Sequence, residues 1–262
     1  MSFSISGKTA IVTGSASGIG LAIARGFLTR SARVAVAGSS DEGGARALDT
    51  LADFGDQVRF YRADLRDAPE AGRLLDAVQA QSGQLAVVVN CAGVNFNRSI
   101  AEVSVTEYDA VMNLNVRAAF LVSQGAAKRM ADTGVRGRIV NITSGNYRYA
   151  RPGAALYAAS KSALESLTRS FALEYGACGI TVNAVAPGLV SRDTPSGPDF
   201  QRVADYYRAN SPLDRLVDPG DVAAAVLFLA SAQAMGITGE TIVVDNGFSA
   251  GRLDFPRRTQ QR

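Results

Sequence analysis

Seven short apolar runs punctuate this chain, and helix-length stretches separate them. The runs are Thr9–Val12, Arg33–Ala37, Val58–Tyr61, Leu85–Val89, Arg138–Ile142, Thr181–Val185 and Thr241–Val244. They are near-continuous in Val, Ile, Leu and Ala rather than alternating with polar residues. A strand of that kind is buried on both faces, which only a parallel sheet covered on both sides provides. Residues 18–30, 41–54, 67–82, 106–131, 156–177 and 219–231 read as the covering helices. Asp218-Pro219 opens the last of them, with Pro in the first turn. The alternation predicts an α/β fold: a Rossmann-like, doubly wound parallel sheet of about seven strands, helices on both faces. It runs from residue 8 to residue 245 without a linker, so a single domain is expected over 1–251. One irregular insertion, 188–215, is rich in Gly, Pro, Ser and Asp and reads as a mobile lid over a site.

Composition narrows the chemistry. The chain has 262 residues and no histidine. That excludes a Ser–His–Asp triad, a Cys–His dyad and any His-ligated metal. No metal is expected. The formal charge of +3 is accounted for by residues 252–262, which carry Arg252, Arg257, Arg258 and Arg262 against Asp254. The rest is balanced, so no basic face for nucleic acid is expected, and 252–262 reads as a tail. No apolar run reaches the roughly 18 residues of a membrane span. No signal peptide is read at the N-terminus. The two cysteines, Cys91 and Cys178, lack CxxC spacing and read as reduced thiols of a cytoplasmic protein.

Directly after the first strand comes Thr13-Gly14-Ser15-Ala16-Ser17-Gly18-Ile19-Gly20, opening a helix. Gly14 permits a tight turn, Gly18 lets backbone approach a pyrophosphate, and Gly20 lets helix and strand pack closely. The helix N-terminus adds N–H donors and a positive dipole. Further along, Tyr157 and Lys161 stand one helical turn apart, on one face. A tyrosine titrates near ~10 and is a poor base at neutral pH. A neighbouring ammonium, together with the positive ring of an oxidised cofactor, is expected to lower it, letting it do a histidine's work as general acid and base. Lys161 is one of three lysines, with Lys8 and Lys128, beside 24 arginines. Ser144 follows the fifth strand, where this architecture binds ligands. Its hydroxyl, or that of Thr143, suits a developing alkoxide.

With these motifs in this order, residues 7 to 250 resemble the short-chain dehydrogenase/reductase family. The resemblance rests on the TGxxxGxG turn, Asp64-Leu65, Asn90-Cys91-Ala92-Gly93, Asn115, Ser144, Tyr157-xxx-Lys161, Pro187-Gly188 and Asp245-Asn246-Gly247. The family's second Asn in NNAG is Cys91 here, a departure that leaves the backbone of Ala92-Gly93 able to serve. The resemblance implies an NAD(P)-dependent oxidoreductase moving a hydride between nicotinamide and an alcohol or carbonyl carbon. It implies Ser144, Tyr157, Lys161 and Asn115 as catalytic residues. Asn115 would hold a water that passes protons from Lys161; Asn113 and Asn146 are alternatives. It implies cofactor contacts from Gly14, Ser15, Ser17, Gly18, Ile19, Gly20, Ser39, Ser40, Asp64, Leu65, Asn90, Ala92, Gly93, Tyr157, Lys161, Pro187, Gly188 and Val190. Asp64 has a second reading, as a cap on the turn that follows its strand.

The acid that selects NAD(H) at the end of the second strand is replaced by Gly38, and Ser39 and Ser40 can donate to a phosphate. Arginines are absent from the positions that commonly hold that phosphate, and Asp41 and Glu42 oppose it. NADP(H) is favoured over NAD(H). For substrate, Ser144 and Tyr157 with Asn95, Asn146, Arg148 and Arg151 are the candidate contacts, Phe96, Tyr147 and Tyr149 further walls, and Arg192 a lid arginine. Ser191 can serve where the family often has a threonine against the nicotinamide amide, the position of Arg192. A small polar hydroxy or keto compound is expected over a long acyl chain. A non-catalytic dinucleotide sensor is the alternative from another class, and epimerisation or dehydration on the same fold is a third. The family commonly forms tetramers, so a homo-oligomer, tetramer or dimer, is expected through 106–131, 156–177 and the last strand.

Overall fold

The computed structural model describes residues 4–149, 151–191 and 198–251. Seven strands form one sheet: β1 Thr9–Thr13, β2 Arg33–Gly38, β3 Val58–Arg62, β4 Leu85–Asn90, β5 Arg138–Ile142, β6 Thr181–Pro187 and β7 Thr241–Val244. Their order is β3-β2-β1-β4-β5-β6-β7, and every neighbouring pair is parallel. The apolar runs thus mark the strands, each extended by at most two residues. β1, β4, β5 and β6 are buried along their whole length, as their unbroken apolar runs require. All carboxyl ends face one way. The order turns back between β1 and β4, and there the chain leaves to opposite sides and opens a crevice.

The helices are α1 Gly18–Leu28, α2 Asp41–Thr50, α3 Pro69–Ser82, α4 Val105–Met112, α5 Ala119–Asp132, α6 Ala155–Tyr175, α7 Pro198–Ala209 and α8 Pro219–Leu229. They form two layers. In one, α1 packs on α8; in the other, α3 packs on α5 and α5 on α6. Asp218 caps α8 through a reciprocal box with Asp221, behind a Pro in the first turn. Ser104 and Glu107 do the same for α4.

Two elements differ from expectation. The stretch read as one helix over 106–131 is two, α4 and α5, joined by a wider π-type turn over Asn113–Ala118. Such an insertion turns one residue out of helical phase, and here that segment contains Asn115. The insertion 188–215 is not irregular throughout: 198–209 is helical. Phe200, Ala204, Tyr207 and Ser211 fall at helical spacing, and Ala204 is fully buried. The breaker residues before Pro198 mask that period in the composition. Arg192 and the tail 252–262 lie outside the described residues.

Candidate active site

The crevice between β1 and β4 is a cleft of about 390 Å³ lined by Gly14, Gly38, Ser39, Asp64, Leu65, Arg66, Ala92, Gly93 and Phe96, among others. Its floor comes from close backbone contacts. A Cβ on Gly14 would sit 2.6 Å from the Ala92 Cα, and one on Gly20 would sit 2.4 Å from the Gly14 carbonyl oxygen. Neither turn admits a side chain. Gly18 has φ +52° and open space beside it, so the start of α1 is uncovered. Thr13 ties the two loops together. Its hydroxyl accepts from the Cys91 and Ala92 N–H groups at 3.1 and 3.2 Å.

The cleft gathers only part of the expected cofactor set. Gly14, Ser39, Asp64, Leu65, Ala92 and Gly93 line it. Ser17, at the N-cap of α1, is exposed and its hydroxyl makes no capping bond; Ile19 is half-buried against the core. Ser15 is fully buried, donating to the Val12 carbonyl at 2.6 Å and accepting from the Ala37 N–H at 3.1 Å. Its backbone N–H donates to the Ala37 carbonyl too, so Ser15 joins β1 to β2. Ser40 caps α2 through the Gly43 N–H at 3.0 Å, which occupies its hydroxyl as an acceptor. The Asn90 side chain turns inward and donates to Ser123 Oγ and Asn141 Oδ1, both at 2.8 Å. It crosslinks β4, β5 and α5 instead of lining the cleft. Asp64 lines the cleft and also caps the following turn, accepting the Arg66 N–H at 3.1 Å.

Two arginines at the cleft escaped the sequence reading. Arg66 forks onto Asp64 through Nε and Nη2 at 2.9 and 2.6 Å, which holds the Asp64 carboxyl below its usual range. Arg62 ends β3 opposite Gly38, and its Nε donates to the Ser39 carbonyl at 3.4 Å. The register of β3 on β2 brings it there. A search along β2 alone could not find it.

The chemical end lies at the carboxyl ends of β5 and β6. Ser144 follows β5, and its hydroxyl accepts the Asn146 N–H at 3.3 Å and stands close enough to the Tyr157 phenol to favour its ionised form. Thr143 is turned away: it is buried, and its hydroxyl donates to the Val185 carbonyl at 3.3 Å. Lys161 is 4% exposed. Its ammonium donates to the Ile142 carbonyl at 2.8 Å and lies 5.6 Å from the Tyr157 ring centroid. Burial pushes it down to about 8. Burial raises the Tyr157 pKa, and Ser144 and the Arg151 charge offset only part of that rise. Beside Lys161 the Cys91 thiol is pushed up to about 11 by burial.

Asn115 is 1% exposed. Its Oδ1 accepts the Val94 N–H at 2.8 Å, and its Nδ2 donates to the Val94 carbonyl and Ser160 Oγ at 2.9 and 3.0 Å. The side chain holds the loop after β4. Gly93 leaves room for both groups: a Cβ there would meet Asn115 Oδ1 at 3.2 Å and Lys161 Nζ at 3.4 Å. Pro187 ends β6, and Gly188 meets Asp245 so closely that a Cβ would lie 2.8 Å from its Cβ. Val190 bridges to Val217. These three border the chemical end and not the cleft.

Of the substrate candidates, Asn146 is buried beside Ser144. Arg151 donates to Asn97 Oδ1 at 3.2 Å, and its charge acts on both Tyr157 and Tyr149. Arg148 is spent locally, with Nε on the Tyr147 hydroxyl at 2.7 Å. Asn95 is exposed, and Phe96 lines the cleft.

A family model described as enoyl-(acyl carrier protein) reductase matches residues 14–249. D-threitol dehydrogenase of Mycolicibacterium smegmatis is 33% identical over 94% of this chain and 95% of its own length. The chain belongs to the short-chain dehydrogenase/reductase family. A 3alpha-hydroxysteroid dehydrogenase of Mediterraneibacter gnavus is 36% identical over 91% of this chain and 95% of its own. Among solved structures, a gluconate 5-dehydrogenase from Burkholderia cenocepacia, in complex with NADP and tartrate, superposes with a TM-score of 0.87. It is 28% identical and covers 95% of this chain and 97% of its own. This short-chain dehydrogenase/reductase is therefore an NAD(P)-dependent oxidoreductase acting between alcohol and carbonyl. A tetritol, a steroid and a sugar acid are named among these relatives, so membership leaves the substrate open. The cleft fits the family's cofactor: Gly14 and Gly93 are part of its lining, and Gly18 at the start of α1 has open space beside it.

Proposed function

We propose that this protein reduces the carbonyl of a small polar compound, with Tyr157 as the proton donor. The observation that carries the reading is the placement of Ser144 beside Tyr157, close enough to act on its phenol, with a buried lysine one helical turn away at the carboxyl ends of β5 and β6. The nicotinamide cofactor supplies the hydride when bound. Ser144 and Tyr157 orient the carbonyl oxygen between their hydroxyls. As charge gathers on that oxygen, Ser144 stabilises it by hydrogen bonding and the Tyr157 O–H transfers its proton. Burial keeps the Tyr157 phenol protonated, so the proton that reduction needs is on the oxygen. Lys161 reprotonates Tyr157, and Asn115 positions the loop after β4 that borders Lys161. Replacing Tyr157 by Phe is expected to abolish turnover while leaving the affinity for NADPH, measured by its fluorescence, within about twofold. Activity above a tenth of the wild type would overturn the assignment.

NADP(H) is the proposed cofactor. No carboxylate stands at the end of β2, Ser39 lines the cleft, and Arg62 reaches the Ser39 carbonyl. Asp41 lies 3.7 Å from Arg62 and partly offsets its charge. Arg62→Ala is expected to lower kcat/KM for NADPH about tenfold while leaving NADH nearly unchanged. A wild-type preference for NADH would overturn the choice. The protein is further proposed to be a cytoplasmic homo-oligomer without nucleic-acid or membrane partners. Cys91 and Cys178 are unpaired thiols, and among the described residues no helix is long and apolar enough to cross a membrane.

A further inference from the structure

Beyond Ser144 and Tyr157 the chemical end has a second wall, which the catalytic reading does not use. The Tyr149 hydroxyl, from the loop after β5, meets the Tyr207 hydroxyl, from α7, at 3.3 Å. The Tyr207 ring stacks on Phe248 with centroids 4.2 Å apart and planes at 22°, and Phe248 also touches Tyr149 at 5.8 Å. Phe248 is fixed in turn. The Asp245 carboxylate accepts the Gly247 and Ser249 N–H groups, both at 2.9 Å, and locks the turn between them. The pair is therefore held from three directions: a loop, a lid helix and the turn after β7.

This wall stands next to the reacting groups. Gly145 follows Ser144 directly, and a Cβ on it would lie 3.4 Å from the Tyr149 hydroxyl. Whichever phenol donates to the other, the pair keeps one O–H unspent and lone pairs to accept with. Burial and the Tyr207 bond raise the Tyr149 pKa, so its proton stays on. An aromatic floor with one donor and one acceptor at its edge matches a C–H and O–H bearing ligand. Arg151, at the same end, adds a charge. No carboxylate among the described residues lies within ion-pairing distance of it, and Asn97 takes a single one of its five N–H donors. Arg148 donates Nε to the Tyr147 hydroxyl and lies over the Tyr147 ring.

We infer that Tyr149, Tyr207 and Arg151 are the specificity determinants of this enzyme and select a short polyhydroxy acid. Its carboxylate faces Arg151, and a hydroxyl beyond the reacting carbon meets the Tyr149–Tyr207 pair. The inference rests on the assignment of Ser144 and Tyr157 as the reacting end, and adds which molecule they receive.

The test compares D-gluconate, D-sorbitol and cyclohexanol as substrates for oxidation with NADP+ or NAD+, in the wild type, Tyr149→Phe, Tyr207→Phe and Arg151→Gln. Both tyrosine variants keep the ring and with it the stack, so folding is not at stake. The wild type is expected to favour gluconate over sorbitol by tenfold or more in kcat/KM. Tyr207→Phe and Tyr149→Phe should each raise KM for gluconate about tenfold, with kcat nearly unchanged and cyclohexanol unaffected. Arg151→Gln should erase the advantage of gluconate over sorbitol. Equal losses on all three substrates, or a wild type that prefers cyclohexanol or sorbitol, would overturn the inference alone, since turnover dependent on Tyr157 would persist. No turnover of any of the three by a wild type that binds the cofactor would overturn it together with the proposed function.

Discussion

Lys161 sits in an environment that opposes its chemistry in water. Its ammonium is buried, touches one carbonyl, and is pushed from 10.5 to about 8. A lysine with a depressed pKa binds fewer protons folded than unfolded, so the folded state is penalised below pH 8, where both states are charged. The penalty fades as pH rises from about 8 to 10.5. At neutral pH it is on the order of 3 kcal/mol. The melting temperature of the wild type should therefore rise relative to that of Lys161→Met across this window, by several degrees. A difference independent of pH would show that Lys161 is not held as a destabilised cation. Tyr157 responds in the opposite sense, since burial holds its phenol neutral. In the cofactor-free protein its ionisation, followed by tyrosinate absorbance against Tyr157→Phe, should occur above that of an exposed tyrosine near ~10. Titration below 10 would contradict this. At this scale the sequence was legible wherever the chain itself sets the distance, as between Tyr157 and Lys161. It was not legible where two strands set it: Arg62 reaches Ser39, and Thr13 reaches Ala92, only through the register of the sheet.

The turn between β1 and α1 shows which local details were readable and at what cost they can be changed. Gly20 is needed for packing, because a Cβ there would press on the Gly14 carbonyl at 2.4 Å. Gly18 is needed for conformation and for what approaches it, because it has φ +52° and nothing within 4 Å. The two substitutions should therefore separate. Gly20→Ala is expected to destabilise the fold by about 1–3 kcal/mol in urea unfolding, since backbone has to shift. Gly18→Ala is expected to cost about 1 kcal/mol for the left-handed backbone, yet to weaken NADPH binding by more than tenfold through the added methyl. Equal effects of the two on stability and binding would remove the distinction. The spacing of those glycines was readable because each constraint is local. Helix α7 is hidden in the sequence because Gly, Pro and Ser before residue 198 obscure the helical period of Phe200, Ala204, Tyr207 and Ser211. The break between α4 and α5 had no signal in the helical pattern. Its counterpart is the Asn115 side chain clamping Val94, a contact between residues 21 apart in sequence.

The two edges of the sheet are defended unequally, and this bears on assembly. An exposed edge strand invites pairing with another chain unless charge, proline or a bulge blunts it. β3 carries Arg59 and Arg62, charged residues exposed on that edge. β7 is Thr241-Ile242-Val243-Val244, with no charge or proline, half-buried along its length and paired only with β6. Phe228, on the neighbouring helix α8, is 42% exposed. On the opposite layer, α6 presents Leu173 at 85% exposure. A single exposed apolar residue needs no explanation, but an undefended edge strand with an aromatic residue on the helix packed against it does. A second copy of the chain meeting β7 and α8 would cover both, and a separate contact on α6 would make the assembly tetrameric. Sedimentation of the wild type is expected to give two or four chains. Phe228→Arg should halve a tetramer or dissociate a dimer, leaving the circular dichroism spectrum unchanged because that side chain projects from the fold. Leu173→Glu should break the other contact alone, so the double variant should sediment as one chain. A wild type that already sediments as one chain would mean that the β7 edge is left open, and aggregation at high concentration would then be its cost.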